Sequence, residues 1–374
     1  MRTSALYAFG FLVGLLLNPT VLAASPTLSE ARWALWQWDL AAAERLLKDS
    51  SGRESETLRA RLKLQKSDFK GVDALLTPIV KAHPQAYEAR VILGEALYAL
   101  GEDTRAFTTL DTLATDYGEG RLKDAEELMW LADALARTDY LKNANEVYQE
   151  AVSQKPDLVD AKVRWAELFI AKYNYRDGDA LLNEAQATRK DDLRAAVGLA
   201  RIDLASDHDY AKARRRLEAV LKTSPSHVPA HNVLARIELE NELSEAALKR
   251  LTEHSLRLAP NNPEALALLG AVHAIRDDMV AFRKSEARAL ALNPRFAAFY
   301  TQVSEHLSRV HRYKEAAAHD RKALSLNPSH WQAYVNLGIG LSRLGDDDGA
   351  ERVLNQAFDG DPFDVRTFNL LDQF

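Results

Sequence analysis

The chain has 374 residues and a formal net charge of -6, with 47% apolar and 27% charged residues. That apolar share is enough for a folded core, so the composition excludes a wholly disordered protein. The mild acidity argues against nucleic-acid binding, which favours basic proteins. The sequence contains no cysteine, which excludes disulfides, cysteine-ligated metal centres and a cysteine nucleophile. Its 16 glycines and 12 prolines fall below their usual share of about 12% of residues, which argues against a loop-rich or all-β protein.

The first 24 residues have the three parts of a secretory signal peptide. Arg2 gives the positive charge, residues 5–17 are almost continuously apolar, and residues 21–24 are the small or apolar residues that precede a cleavage site. The apolar run is too short for a membrane-spanning helix, which takes about 20 residues. We therefore expect cleavage after Ala23 or Ala24, and an exported, periplasmic chain without a stable membrane span.

Prolines recur at a fixed interval along the rest of the chain. Intervals of 35, 34, 34 and 34 residues separate Pro225, Pro260, Pro294, Pro328 and Pro362. Two earlier intervals are close to twice that length. Between the prolines, apolar residues recur at helical spacing with a short turn near the middle. Because proline ends a helix and redirects the chain, each unit is predicted to be two antiparallel helices of about a dozen residues.

The last unit has the clearest pattern. Its first helix carries a small residue, Gly338, among large apolar residues, and its second helix carries Ala350 and Leu354 before Pro362. The small residue lets the helices approach, and large residues fill the space around it. This 34-residue pattern resembles the tetratricopeptide repeat (TPR) family. The resemblance implies an all-α, right-handed superhelical solenoid that acts as a protein-interaction platform.

The resemblance covers nearly all of the chain after the predicted signal peptide, residues 1–24. Nine TPR-like units are predicted over residues 53–362, and residues 25–52 are interpreted as a degenerate N-terminal repeat or cap. Trp33 and Trp36 are one helical turn apart and are interpreted as packed inward rather than as an aromatic ligand patch. Residues 363–374 begin a further apolar helix, and the sequence leaves open whether this helix is truncated, docks back on the chain, pairs with a second copy or joins another domain.

The tail also resembles the junction at which some large bacterial TPR proteins continue into a peptidase MA-like (gluzincin) domain. Residues 361–371 carry this similarity. It implies an alternative role, as the non-catalytic repeat half of an envelope metalloprotease system. The His-Glu-x-x-His motif of such peptidases does not occur in the sequence.

No catalytic, cofactor-binding or metal-binding pattern stands out, so neither enzyme activity nor a cofactor is expected. His306, His311 and His319 fall in one unit, but their spacing puts them on partly different helix faces. The acidic run at residues 346–349 lies at a predicted turn and lacks the later ligands of a calcium loop. Binding is therefore the function to expect.

The candidate binding surface is the concave face of the solenoid, which first helices line in other TPR proteins. Three consecutive units carry one acid at position 2 of the repeat and another at position 9, two helical turns away on the same face. An ordinary preference for acids at helix starts is the alternative explanation for the first position. The candidate protein-binding residues are Glu88, Val91, Glu95, Tyr98, Glu126, Met129, Asp133, Arg137, Asp160, Val163, Glu167, Arg309 and Arg343.

These residues predict an acidic groove that attracts a Lys/Arg-rich or extended segment of an envelope protein. Val91, Met129 and Val163 lie between the acids and are expected to give apolar contact. The sequence therefore predicts an exported scaffold or adaptor that binds a protein or peptide partner, and not nucleic acid, along its concave face.

Overall fold

The computed structural model describes residues 26–206 and 208–372. Within these residues all regular structure is helical and no strand occurs. The predicted signal peptide and the last two residues of the tail lie outside the described part. None of the described helices is long and apolar enough to span a bilayer.

Twenty helices form ten antiparallel pairs, numbered here as repeats 1 to 10, and one more helix follows them in the described chain. The first helices are α1 (Pro26–Trp36), α3 (Arg53–Gln65), α5 (Tyr87–Ala99), α7 (Ala125–Arg137), α9 (Val159–Ala171), α11 (Leu193–Ala205), α13 (Val228–Glu240), α15 (Pro263–Ile275), α17 (Ala297–Arg309) and α19 (Trp331–Arg343). The second helices are α2 (Leu40–Leu47), α4 (Phe69–Ala82), α6 (Asp103–Gly118), α8 (Leu141–Gln154), α10 (Tyr175–Thr188), α12 (Tyr210–Thr223), α14 (244–258), α16 (Met279–Leu292), α18 (Tyr313–Leu326) and α20 (Asp347–Gly360). Helix α14 contains one π-helical turn, Leu251–Ser255, and the last helix is α21 (Val365–Leu371).

The helices form two layers with the apolar core between them. Each first helix packs on the second helix of its own repeat, and first helices of neighbouring repeats also pack on one another. In α7 nine of 13 residues are buried, against four of 14 in α8. The first helices therefore make the inner layer and the second helices the outer layer. This arrangement confirms the predicted all-α solenoid.

Glycine sets the closest approach between the two helices of some repeats. A Cβ atom on Gly94 would lie 2.6 Å from the side chain of Leu110, and one on Gly338 would lie 2.6 Å from that of Leu354. Real Cβ contacts are essentially never that short, so a larger residue would push the helices apart. The small residue thus has the steric role that the repeat pattern indicated.

One residue in the left-handed backbone conformation, called here the turn residue, lies in the turn inside each repeat. Only two of these residues are glycine, which adopts this conformation without strain. The turn residues give all ten repeats a common register. They are Trp38, Ser67, Gly101, Asp139, Tyr173, His208, Glu242, Asp277, His311 and Gly345.

Successive coils of the solenoid touch each other. The carbonyl oxygen of Trp38, in the turn of repeat 1, accepts a hydrogen bond of 2.7 Å from the Ser226 hydroxyl, 188 residues away. The carbonyl oxygen of Tyr98, close to the turn of repeat 3, accepts a bond of 3.2 Å from the Asn293 amide, 195 residues away. Both coil contacts join a turn inside one repeat to a loop between two later repeats.

Repeat 5 makes a third coil contact, with the loop after repeat 10. The Lys172 ammonium group donates to the Asp361 carboxylate at 2.6 Å, 189 residues away. The Val365 N–H donates to the Lys172 carbonyl oxygen at 3.4 Å, and the Arg366 guanidinium lies 4.5 Å from the centre of the Tyr173 ring. Because all three separations are similar, one coil takes about five and a half repeats of 34 residues.

Candidate functional site

An arginine–carboxylate network fills the inner face of the first six repeats. Six arginines and six carboxylates on or beside the first helices pair with one another. Equal numbers of each sign leave the network neutral. Its members are Arg32, Arg61, Arg137, Arg164, Arg189, Arg194, Glu54, Glu88, Glu95, Asp133, Asp160 and Asp192.

The network joins repeats that are not neighbours along the chain. Arg32 of repeat 1 donates two parallel hydrogen bonds, of 2.7 and 2.9 Å, to the carboxylate of Glu88 in repeat 3. Such bidentate pairs are among the stronger charge-assisted contacts. Glu95 lies 3.2 Å from Arg137 and 3.6 Å from Arg61. The coil is therefore tight enough for inner-face side chains of alternate repeats to meet.

Asp133 and Asp160 are buried members of the network. Arg164 donates to Asp133 at 2.6 Å, and Arg194 donates to Asp160. Burial raises the pKa of a carboxyl group, but the nearby guanidinium groups outweigh it and hold the pKa of both carboxyls below the usual range. Arg164 also lies 4.4 Å from the centre of the Trp130 ring, in a cation–π contact. These charges are thus held inside the chain.

The predicted acids of the concave face mostly belong to this network. Their charge is compensated by arginines of the same chain, so this part of the inner face has no excess negative charge. A further predicted acid, Glu167, pairs with Arg201 of the next repeat. A role of these residues in binding a partner stays a prediction. The predicted residues within the network are Glu88, Glu95, Asp133, Arg137 and Asp160.

The prediction that Val91, Met129 and Val163 make apolar contact with a partner is wrong. Val91, Met129 and Val163 are 0%, 2% and 4% exposed and lie in the core. The first helices of neighbouring repeats approach one another closely and cover these positions. A position three residues after a groove acid is therefore an interior position in this coil.

Other predicted residues lie apart from the network. Glu126 is exposed at the start of α7 and pairs with Lys155 at 2.9 Å. Tyr98 is half-buried beside the second coil contact, and burial raises the pKa of its hydroxyl to about 12. Arg343 is exposed at the end of α19. The structure therefore does not bring all the predicted residues together.

Apart from Arg137, the arginines that neutralise the acids were missed from the sequence. Arg194 pairs with Asp160, and Arg201 pairs with Glu167, each exactly one 34-residue repeat further on. The same repeat position thus carries an acid in one unit and an arginine in the next. Comparison of equal positions in consecutive units would have revealed these pairs.

The inner face of repeats 5 to 10 lines an open cavity of about 930 Å³. First helices of these repeats form much of its wall, and α21 contributes Val365 and Arg366. Arg309 is the predicted binding residue that lies in this wall. Apolar side chains, tyrosines and both signs of charge share the lining. The tyrosines and charged residues of the wall are Tyr173, Tyr175, Tyr210, Arg201, Arg236, Arg309, Arg366, Glu264 and Glu305.

Glu305 is an ionised acceptor in the cavity wall. Arg236 donates to it from two repeats earlier, and Arg309 lies 3.6 Å from it on the same helix. Burial raises the pKa of Glu305, but the charges of Arg236, His306 and Arg309 lower it to about 2. Unpaired donors also occur here, since the Nε and Nη2 atoms of Arg366 are buried without a hydrogen-bond partner among the described residues.

The aromatic residues of repeat 1 pack against the chain itself. The rings of Trp33 and Trp36 meet edge to face, with centres 6.0 Å apart. The Arg189 guanidinium lies 4.9 Å from the centre of the Trp36 ring, and the Arg194 guanidinium lies 4.5 Å from it. The two tryptophans therefore contact arginines of later repeats, and the choice between an inward-packed cap and an aromatic ligand patch stays a prediction.

No curated protein matches this sequence. Among solved structures, a tetratricopeptide repeat protein from Parabacteroides merdae is 13% identical, covers 66% of this chain and 97% of its own, and has a TM-score of 0.43. PilF of Pseudomonas aeruginosa is 16% identical, with 58% and 97% covered and a TM-score of 0.36. MamA is 23% identical, with 43% and 94% covered and a TM-score of 0.27.

Family models match slightly more than half of the chain. One model described as tetratricopeptide repeat matches residues 204–272, and a second with the same description matches residues 57–120 and 305–365. Neither describes a peptidase, so the resemblance of the tail to a peptidase-linked junction stays a prediction. The matched segments cover most of helices α3–α6, α12–α15 and α18–α20, and the chain belongs to the tetratricopeptide repeat family.

Proposed function

We propose that this chain is an exported, periplasmic scaffold or adaptor that holds a segment of a partner protein in the cavity of repeats 5 to 10. TPR proteins generally bind protein partners. The cavity is the observation that carries the proposal, because the arginine–carboxylate network occupies the inner face of the earlier repeats. Export is supported by the signal-peptide pattern of residues 1–24.

The cavity suits a peptide segment of mixed character. Its volume of about 930 Å³ lies near the upper end of ordinary ligand pockets, which run to roughly 1,000 Å³. Glu305 offers an ionised acceptor, and the Arg366 guanidinium lies in the same wall on the Tyr173 ring. Ile170, Val233 and Leu370 give apolar contact in the same wall.

This proposal does not specify a Lys/Arg-rich partner. That prediction rested on uncompensated acids, and the buried acids of the network are paired with arginines. A basic segment would have to displace these arginines from buried carboxylates, which is costly. The preference for such a partner stays a prediction.

Narrowing the cavity should weaken partner capture. Gln302 is partly buried in the cavity wall, so Gln302→Trp places an indole where the segment would lie. In pull-downs from native envelope extract, we expect this variant to hold the partner at least tenfold more weakly, a loss of about 1.4 kcal/mol. The captured protein is identified by mass spectrometry, and its segment is then titrated as a synthetic peptide.

The matched control is Gln149→Trp, on an exposed position of the outer helix α8. It adds the same indole outside the cavity and should capture the partner as the wild-type chain does. Equal capture by both variants, with matching thermal melts, would show that the partner binds elsewhere.

A further inference from the structure

Exposed apolar residues lie at the turns inside the last repeats. Leu243 of repeat 7 is 50% exposed, Met279 and Val280 of repeat 8 are 46% and 69% exposed, and Leu344 of repeat 10 is 50% exposed. Each lies within three residues of the turn residue of its repeat. A row of large exposed apolar side chains is typical of an interaction surface.

The same positions make the coil contacts of repeats 3 and 5. Lys172, which forms the third coil contact, precedes its turn residue by one position, as Leu344 does. Asp103, which pairs with Arg295 at 2.8 Å, follows its turn residue by two positions, as Met279 does. The exposed turns of repeats 7, 8 and 10, called here the late turns, therefore continue an interface that the chain already forms with itself.

The matching half of this interface is exposed near the other end of the solenoid. Within the chain, the loop at residues 293–295 has the form X-Pro-X and contacts the turn of repeat 3. Loops of the same form follow repeats 2 and 4, at residues 83–85 and 155–157, and all six of their residues are exposed. These two segments, with Lys81, are called here the early loops.

The two surfaces have complementary charge. Residues 241–245, 276–280 and 343–348 at the late turns carry seven carboxylates and two arginines. The early loops carry Lys81, Lys155 and Asp157. Lys155 pairs with Glu126 at 2.9 Å, so Lys81 is the early-loop cation for which no ion pair is found within the described residues. This lysine favours encounter with the acidic late turns, and the negative charge of the late turns disfavours the meeting of two late-turn surfaces.

We propose that a second copy of this chain docks head to tail, with its early loops on the late turns of the first copy. The interface would extend the stacking of coils from one molecule to the next. Because its two halves differ, it is heterologous and can repeat from copy to copy. It leaves the cavity wall untouched, so it does not rest on the proposed partner site.

The test measures the association of the full chain by sedimentation velocity over a range of concentration and salt. We expect the wild-type chain to form dimers and longer species that weaken as salt rises. The late-turn variant Met279→Ser, Val280→Ser, Leu344→Ser removes the apolar contact. The early-loop variant Lys81→Glu, Lys155→Glu reverses the charge. Each variant alone should associate at least tenfold more weakly than the wild-type chain.

An equimolar mixture of the two variants gives the sharpest result. The early-loop variant keeps intact late turns, and the late-turn variant keeps intact early loops, so the mixture should form heterodimers and nothing longer. Heterodimer formation also shows that both variants are folded. Phe107→Lys, an exposed apolar residue on α6, and Lys142→Glu, an exposed lysine on α8, are controls that should associate as the wild-type chain does.

Three results would overturn the proposal. A wild-type chain that stays monomeric at every concentration would exclude self-association. An early-loop variant that still dimerises alone would mean that two late-turn surfaces meet. A mixture without heterodimers would mean that the two surfaces do not bind each other.

Discussion

The turn residues hold a strained backbone at most of the turns inside the repeats. Eight of the ten are not glycine, and an L-residue in the left-handed conformation is disfavoured by about 1–2 kcal/mol. Glu242, with a φ of 62°, is exposed, and no hydrogen bond or ion pair of its side chain is found within the described residues. A substitution at this position therefore changes the conformational free energy of the backbone without loss of a side-chain contact.

Replacement of Glu242 by glycine should stabilise the chain. Glycine adopts the same φ without a clash, and the greater freedom of the unfolded chain offsets part of the gain. We expect the free energy of unfolding to rise by roughly 0.5–1 kcal/mol in urea denaturation. The converse change, Gly345→Ala, should lower it by a similar amount, since a Cβ there meets no atom within 4 Å and only the backbone changes. A Glu242→Gly variant no more stable than the wild-type chain would contradict this explanation.

At the inner face, acids were predictable from the sequence and their partners were not. Asp160 and Glu167 were identified because they share a helix face within one repeat. Their partners Arg194 and Arg201 lie in the next repeat, so the pairing depends on how closely successive first helices approach. That distance follows from the curvature of the coil, which the apolar spacing within a unit does not specify.

At the scale of the helix, α21 is held by long-range contacts as well as by its neighbour α20. The Asp361 side chain is 9% exposed and that of Lys172 is 22% exposed. This pair joins the loop before α21 to the turn of repeat 5. Loss of the lysine would leave a nearly buried carboxylate without its cation.

Lys172→Met should therefore destabilise both segments that this contact joins, the turn of repeat 5 and the loop before α21. We expect a loss of about 1–3 kcal/mol in the free energy of unfolding, together with faster amide hydrogen exchange in residues 172–175 and 361–371. Lys142→Met breaks an exposed pair with Glu146 at 3.9 Å and should cost less than about 0.5 kcal/mol. Unchanged exchange in residues 361–371 would show that α21 is held by its other contacts alone.

The helices themselves were the most predictable elements. Proline intervals and apolar spacing identified the helix pairs, because proline and a buried helix face act locally. The docking of α21 on repeat 5 involves residues about 190 positions apart, and no local pattern indicates it. Helix α21 lies in the apolar tail, and the contact of this tail with another domain or copy stays a prediction.

For the whole molecule, buried histidines predict how stability depends on pH. Burial disfavours the charged imidazole and lowers the pKa of His227 to about 3 and of His306 and His330 to about 4. In the unfolded chain these groups titrate near their ordinary value of about 6.5. Between pH 6.5 and pH 4 the unfolded chain therefore binds more protons than the folded chain, so acidification destabilises the fold.

The free energy of unfolding should fall steadily from pH 6.5 to pH 4, by up to about 1.4 kcal/mol per pH unit for each such histidine. Glu305, with its lowered pKa, adds to the loss between about pH 4.5 and pH 2. Urea denaturation across this range measures the slope. His330→Gln should make the slope shallower, because it removes one of the three buried imidazoles. A free energy of unfolding that does not depend on pH over this range would contradict the conclusion that these imidazoles are buried and neutral.

The coil contacts also restrict how such a chain can change its length by gene duplication. Where each unit touches only its neighbours, units can be gained or lost anywhere along the array. Here Trp38 meets Ser226 and Lys172 meets Asp361 across nearly the same number of residues. Loss of one internal unit would bring a different loop opposite each of these turns. A repeat can therefore be gained or lost freely only where no coil contact joins residues on either side of it. Elsewhere, several distant contacts would have to be rebuilt at once.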